Sequence, residues 1–127
     1  MAKVTVESLQ KLQQEVRIRH HRLRGDESPE IGGEDSAPNP HEFLLAALGN
    51  CTSMTLLVYA RRKGFPLEKV TVELEDVREG ATTTFRREIH LEGPLDEEQR
   101  KRLLEIAAKC PVHRTLTGEI RVEDRLV

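Results

Sequence analysis

The sequence predicts an α+β fold, in which a mostly antiparallel sheet wraps around one central buried helix. Short segments near both ends of the chain alternate apolar and polar residues, as strands with one buried face do. Between them, residues 43–60 are apolar almost all round, which is typical of a helix that is buried on most sides. The length of 127 residues fits a single domain over residues 1–127.

Strands are predicted along the N-terminal segment, up to about residue 24. The apolar residues of this alternating pattern are Val4, Val6, Leu9, Val16, Ile18 and Leu23. Residues 25–39 are rich in Gly and Pro and predict a loop that is long for a compact domain. Loops of this length are usually functional or mobile.

The long helix is predicted to begin at Pro40 and to end before Gly64. Asn39 is a favourable N-cap, and Glu42 can complete a capping box with it. Gly64 suits the C-terminal cap. At helical spacing, one stripe of this helix contains Leu44, Leu48, Cys51, Thr55 and Val58.

A hairpin and a second helix are predicted next. Alternating segments at residues 70–74 and 85–91 are joined by a turn at residues 79–82. Asp96 and Gln99 form a plausible capping pair for the second helix. The apolar face of this helix is predicted to contain Leu103, Leu104, Ile106 and Ala107.

The chain is predicted to end in a turn and a strand. Cys110 closes the second helix, and a short turn follows Pro111. The last strand is predicted over residues 119–125, with Ile120 and Val122 facing inward.

Charge and composition exclude several classes of function. The net charge is −2, so no basic surface indicates nucleic-acid binding. We find neither the apolar segment of a signal peptide nor an apolar run of membrane-spanning length, and we expect a soluble cytoplasmic protein that binds no membrane. High charge with few Asn and Gln residues fits a thermophilic source. In a cytosolic chain, two cysteines are expected to be reduced, whether catalytic or inert.

Burial of the long helix predicts a homodimer. An all-round apolar helix needs cover on two sides, and the sheet of one small domain covers only one of them. A second copy of the chain is therefore expected to supply the other cover.

Both cysteines lie in motifs that resemble those of the OsmC/Ohr family, in its short OsmC-like branch. The first motif is residues 39–54, NPHEFLLAALGNCTSM, in which Cys51 follows the proline by eleven residues. The second is residues 110–116, CPVHRTL, which begins with Cys110. The resemblance extends from about residue 28 to residue 122.

The resemblance implies an intertwined homodimer, in which two six-stranded sheets enclose a pair of central helices and the active sites lie at the subunit interface. It also implies thiol-dependent reduction of organic hydroperoxides, and more weakly of hydrogen peroxide. Cys51 would be the peroxidatic cysteine and Cys110 the resolving one, with an external dithiol as reductant. No flavin, haem or metal cofactor is expected.

One position departs from the family pattern. In the family, a glutamate follows the motif proline and pairs with an arginine near the reactive thiolate. Here His41 stands at that position, and Glu42, the nearest carboxylate, comes one place later. His41 and Glu42 are therefore candidate catalytic residues beside Cys51 and Cys110. The arginine is expected from the N-terminal strands, where the candidates are Arg17, Arg19, Arg22 and Arg24.

A working Cys51 needs such a cation, because burial in an apolar helix face raises the pKa of a thiol and the thiolate is the nucleophile. Either one of those arginines or His41 is the expected partner. His113 is expected to be a structural turn or surface residue.

Other interpretations remain open. Both cysteines could be inert core residues, since cysteine is often fully buried. The chain could instead be a non-enzymatic OsmC-like dimer that binds a small hydrophobic ligand in the interface pocket. A metal site of Cys51, Cys110, His41 and His113 is disfavoured, because the spacing matches no zinc pattern.

Overall fold

The computed structural model describes residues 3–127 and has the predicted α+β architecture. Its elements follow the order β1–β2–β3–α1–β4–β5–α2–α3. The chain divides into two compact units, Met1–Leu44 and Leu45–Val127, which we describe one at a time. A single domain over residues 1–127 stays a prediction.

The first unit contains a three-stranded antiparallel sheet of consecutive strands, as the alternating pattern predicts. Its strands are β1 (Val4–Ser8), β2 (Gln14–Ile18) and β3 (His21–Gly25). Val16 on the central strand lies opposite Val6 on one side and Leu23 on the other. The register therefore aligns apolar side chains across the sheet.

Asp26 organises the loop that follows β3. Its carboxylate accepts hydrogen bonds from the backbone N–H groups of Glu27 (2.8 Å), Glu34 (3.3 Å) and Ser36 (3.0 Å). The Ser36 hydroxyl donates a further bond of 2.6 Å. The bonds from Ser36 and the backbone lower the pKa of Asp26 to about 2. A side chain at Gly33 would collide with the carbonyl of Glu27, so the tight loop requires glycine there.

Helix α1 runs from Pro40 to Lys63 with the predicted caps at both ends. Asn39 and Glu42 exchange bonds of 2.8 and 2.9 Å between side chain and backbone, which confirms the capping box. At the other end Gly64 has φ +70°, and the N–H of Phe65 donates to the carbonyl of Ala60 at 2.8 Å. This is the Schellman arrangement that glycine favours.

The prediction that α1 is buried on most sides is wrong for the chain by itself. Only one stripe is buried, made of Leu48, Thr52, Leu56 and Ala60. On the stripe of helical spacing that passes through Cys51, Cys51 is half-buried and Val58 is exposed. A single layer of β4, β5 and α2 covers only one side of a helix, so the other side faces solvent.

The prediction that no apolar run reaches membrane-spanning length is also wrong. By length and composition alone, α1 could cross a membrane. One such helix is weak evidence for a membrane span, because the central helix of a soluble protein meets the same criterion. The absence of membrane binding stays a prediction.

The second unit contains the predicted hairpin and second helix. The hairpin strands are β4 (Lys69–Glu79) and β5 (Thr82–Glu92), and Gly80 in their turn has φ +59°. Helix α2 (Glu97–Ala107) begins with the predicted capping box of Asp96 and Gln99. Residues of α1 and α2 form the core: Leu56, Ala60, Leu103, Ile106 and Ala107.

Leu104 does not join that core and is 66% exposed, so its predicted inward position is wrong. Leu103, Ile106 and Ala107 already fill the stripe at spacings of three and four residues. Leu104 is one residue round the helix from Leu103 and faces solvent.

The end of the chain differs from the prediction in two ways. The turn after Cys110 is a helix, α3 (Pro111–Thr117), because proline suits a first helical position. Residues 119–127 form no strand, and Ile120 and Val122 are 58% and 80% exposed rather than inward. A strand needs a hydrogen-bonding edge, and these residues pair with no strand among residues 3–127.

We expect Asp26→Asn to destabilise the protein at neutral pH, because an amide presents fewer acceptors to the surrounding donors. The stabilisation from the carboxylate should be complete above its ordinary pKa of 3.8 and disappear as the pH falls towards 2. Urea unfolding of the unmodified protein and of Asp26→Asn from pH 7 to pH 2 should show that the difference between their free energies of unfolding becomes smaller as the pH falls. Asp35→Asn, at an exposed position with φ +51°, is the control. If Asp26→Asn and Asp35→Asn were equally stable at pH 7, the proposed role of Asp26 in holding the loop would be contradicted.

Candidate functional site

The two cysteines meet within the second unit. Cys51 lies on α1 and is half-buried, whereas Cys110 lies between α2 and α3 and is fully buried. Both are free thiols, and their side chains lie close enough for each to shift the pKa of the other. The fold therefore brings together two residues that are 59 positions apart in the sequence.

Backbone contacts on both sides fix the position of Cys110. Its N–H donates to the carbonyl of Ala107 at 3.4 Å, at the end of α2. Its carbonyl accepts from the N–H of Arg114 at 3.1 Å, in the first turn of α3. The thiol thus lies at the junction of two helices, and Pro111 starts the second of them.

The two thiols differ in acidity. Burial raises the pKa of Cys51, and the hydrogen bond with Cys110 raises it further. Burial also acts to raise the pKa of Cys110. There the hydrogen bonds from Cys51 and from the backbone N–H groups of His113 and Val112 outweigh it, and the pKa of Cys110 is lowered. When the pair loses one proton, the negative charge therefore rests on Cys110 and Cys51 keeps its hydrogen.

Arg87 on β5 holds the structure around this pair, and the sequence analysis missed it. Its Nη1 donates to Thr52 Oγ1 at 2.9 Å and to the carbonyl of Ala107 at 3.2 Å. Its Nη2 lies 2.9 Å from His113 Nδ1. The Thr52 hydroxyl donates its own hydrogen to the carbonyl of Leu48 at 2.7 Å. Arg87 thus fixes the position of Thr52, which lies beside Cys110.

A sequence signal for Arg87 does exist. It lies between Phe85 and Ile89 on β5, and residues two apart on a strand share a face. A charged side chain at a predicted inward position needs hydrogen-bond partners, and His113 is one of the partners of Arg87. His113 is therefore a half-buried member of α3, not the turn or surface residue that was predicted.

The N-terminal arginines have partners within the first unit. Arg17 pairs with Glu15 at 2.7 Å and with Glu7 at 3.3 Å, and Arg22 pairs with Glu15 at 3.3 Å. Arg19 and Arg24 form no ion pair among residues 3–127. Activation of Cys51 by any of the four stays a prediction.

His41 and Glu42 are exposed residues in the first turn of α1. Glu42 has the capping role described above. Both residues belong to the first unit, whereas the residues described above as contacts of the two cysteines belong to the second unit. Catalytic roles for His41 and Glu42 stay predictions.

A cavity of about 560 Å³ opens beside Cys51. Its lining is largely apolar and includes Ala47, Met54, Val58, Ile106 and Pro111. Cys110 does not line it. A small apolar molecule can therefore reach Cys51, while Cys110 stays behind it.

Among residues 3–127, the side chains that come close enough to share an ion are Glu73, Glu88 and His90, whose ligand atoms lie within 4.8 Å of one another. All three are exposed, and exposed acidic groups commonly gather without an ion.

Comparison with known proteins identifies the fold and the family. The family model described as OsmC-like protein matches residues 33–124. No curated protein matches the chain. Similar structures include a protein from Psychrobacter arcticus assigned to osmotic stress induction and detoxification response, with a TM-score of 0.80 and 19% identity over 91% of this chain and 88% of that one.

Two further structures have the same fold. An OsmC-like protein from Mycoplasma pneumoniae has a TM-score of 0.79 and 19% identity, over 93% of this chain and 88% of that one. An organic hydroperoxide resistance protein, OsmC, from Legionella pneumophila has a TM-score of 0.68 and 20% identity, over 93% and 90% of the two chains. At these identities the likeness concerns the fold alone.

We expect Cys110→Ala to lower the pKa of Cys51, because the hydrogen bond with Cys110 is one cause of its elevation. The rate of alkylation of Cys51 by iodoacetamide should then rise at a lower pH than in a protein that retains Cys110. Thr55→Val is the matched control, since the Thr55 hydroxyl lies 3.9 Å from the Cys51 sulfur and lowers its pKa. That variant should shift the profile to higher pH. An upward shift in Cys110→Ala would show that Cys110 promotes ionisation of Cys51.

Proposed function

The chain belongs to the OsmC-like protein family, and from that premise we propose that it is a thiol-dependent peroxidase that reduces organic hydroperoxides through Cys51 and Cys110. The observation that carries the proposal is the contact between two free thiols, one of them reachable from a cavity. A pair in this arrangement can take oxygen from a peroxide and close to a disulfide without any cofactor.

The lining of the cavity beside Cys51 supports an organic substrate. Apolar side chains such as Met54, Val58 and Ile106 favour a hydroperoxide with an apolar group. Hydrogen peroxide gains nothing from these contacts, so it would be reduced more weakly.

In the proposed first step, the sulfur of Cys51 attacks the terminal oxygen of R–O–O–H. The S–O bond forms as the O–O bond breaks, and the thiol proton of Cys51 passes to the departing alkoxide, which leaves as the alcohol. Cys51 is then a sulfenic acid, and Cys110 is unchanged by this step.

In the second step, the Cys110 thiolate attacks the sulfur of that sulfenic acid. The S–S bond forms, the S–O bond breaks, and hydroxide leaves and is protonated to water. An external dithiol then supplies two electrons by thiol–disulfide exchange and restores both thiols. The lowered pKa of Cys110 supports this role, because the resolving group must be ionised.

A homodimer is part of the proposal. The side of α1 that the chain leaves open includes Met54, which is 63% exposed, and Val58. An apolar helix face of this kind is stable in water when another surface covers it. A second copy of the chain is the proposed cover, and it would enclose the cavity beside Cys51.

The second candidate is a non-enzymatic dimer that binds a small hydrophobic ligand. The raised pKa of Cys51 and the size of the cavity beside it favour this alternative. Its thiols would resist peroxide, and the cavity would take an apolar ligand instead.

We expect Cys51→Ser to abolish consumption of cumene hydroperoxide in the presence of dithiothreitol, because the attacking sulfur is gone. Cys110→Ser should retain the first oxidation and accumulate sulfenic acid on Cys51, which dimedone traps. Leu104→Ser changes an exposed residue of α2 and is the control that keeps both thiols. Equal turnover by the unmodified protein and Cys51→Ser would end the peroxidase proposal. Two thiols that no peroxide oxidises would favour the ligand-binding alternative.

We expect the protein to sediment at twice its chain mass of 14.5 kDa at micromolar concentration. Met54→Asp should shift it towards the single-chain mass, because a charge on the covered face of α1 must be desolvated. Met54→Leu preserves the apolar surface and should remain dimeric. A 14.5 kDa particle for the unmodified protein would rule out the dimer.

A further inference from the structure

A second cavity lies in the unit of residues 45–127 and includes neither cysteine. It has a volume of about 280 Å³. Arg87 and His113 line it, together with the apolar side chains of Phe85 and Leu116 and the hydroxyl of Thr83. No carboxylate is among its lining residues. Leu48 and Thr117 complete the lining. The cavity thus combines one fixed positive charge with three apolar side chains and two threonines.

The charge of Arg87 has no counter-ion among residues 3–127. Its hydrogen bonds go to a hydroxyl, a carbonyl and an imidazole. Two acids of the neighbouring strand have other partners: Asp76 pairs with Arg78 at 3.1 Å and Glu75 pairs with Arg86 at 3.8 Å. Among residues 3–127, no carboxylate forms an ion pair with Arg87. A half-buried guanidinium without a counter-ion attracts an external anion.

Arg87 also retains hydrogen-bond donors for such an anion. A guanidinium carries five N–H groups. Two of them, on Nη1, bond to Thr52 and Ala107, and one on Nη2 faces His113. Its Nε has no acceptor among residues 3–127, and Nη2 has a second hydrogen. Two donors on one guanidinium match the two oxygens of a carboxylate.

We propose that this cavity binds a small monocarboxylate that carries one apolar group. The carboxylate would bond to the free N–H groups of Arg87, and the apolar group would pack against Phe85 and Leu116. Apolar walls with few polar groups are typical of small-molecule sites, where the polar groups fix the orientation of the ligand. A single guanidinium among apolar walls fits one negative charge better than the multiple charge of a phosphate.

This site does not depend on the proposed peroxidase function, because the cysteines do not line it and binding requires no redox step. A carboxylate on Arg87 would nevertheless lie close to Cys110, because Arg87 bonds to Thr52, which lies beside that thiol. Binding is therefore measured without peroxide, so that its failure and the failure of the peroxidase proposal are separate results.

Benzoate is the probe, and benzamide is its uncharged counterpart of nearly the same shape. Binding of each is measured by titration calorimetry and by ligand-observed NMR to the full chain. Benzoate should bind, and benzamide should bind at least about tenfold more weakly, since it loses a bond between charged groups. Arg87→Gln should weaken benzoate binding by a similar factor.

Arg86→Gln is the matched control, because Arg86 is the neighbouring residue on β5, is exposed and pairs with Glu75. It should leave benzoate binding unchanged. Thr83→Phe narrows the cavity and keeps every bond of Arg87, so it tests the site even if Arg87→Gln fails to fold; it should also weaken binding. The proposal is overturned if benzoate does not bind. It is also overturned if Arg86→Gln weakens benzoate binding as much as Arg87→Gln does, or if Thr83→Phe leaves benzoate binding unchanged.

Discussion

The guanidinium of Arg87 bonds at once to Thr52 on α1, to the carbonyl of Ala107 at the end of α2 and to His113 on α3. These three elements and β5 surround Cys110, so one side chain fixes the relative positions of the parts that hold the buried thiol. Loss of Arg87 would leave a buried hydroxyl and a carbonyl without a donor, which is costly in a protein interior. The geometry of the cysteine pair therefore depends on a residue that is not itself a thiol partner.

An asymmetry between the two thiols follows from this arrangement. Cys110 is buried but collects hydrogen-bond donors, so its pKa is lowered, whereas Cys51 is reachable from a cavity and has a raised pKa. The accessible thiol is thus the weaker acid, and the stronger acid is shielded. In the proposed reaction Cys51 is oxidised first, and the thiolate of Cys110 then closes the disulfide. This arrangement limits unwanted oxidation of the buried thiolate.

Features that depend on residues close together in the sequence were predicted well, whereas features that depend on contacts between distant residues were not. The caps at Asn39, Gly64 and Asp96 involve residues three or four apart, so the sequence contains the whole interaction. The alternation that predicts strands is equally local. The strand over residues 119–125 and full burial of α1 were wrong because each needs a surface that the chain alone does not present.

The candidate site divides in the same way. Motif resemblance selected Cys51 and Cys110, and the fold brings them together. It could not select Arg87, because the contacts of that side chain join β5 to α1 and α3 across 35 and 26 residues of sequence. The expected arginine of the N-terminal strands was assigned to Cys51, and that assignment stays a prediction.

Peptide mass spectrometry after one equivalent of cumene hydroperoxide tests the central claim most directly. If the two thiols work as one redox pair, the intact chain should lose the mass of two hydrogens, and digestion should yield a single Cys51–Cys110 disulfide that dithiothreitol reverses. Two unmodified thiols, or a sulfonic acid on Cys51 with Cys110 still free, would contradict the account.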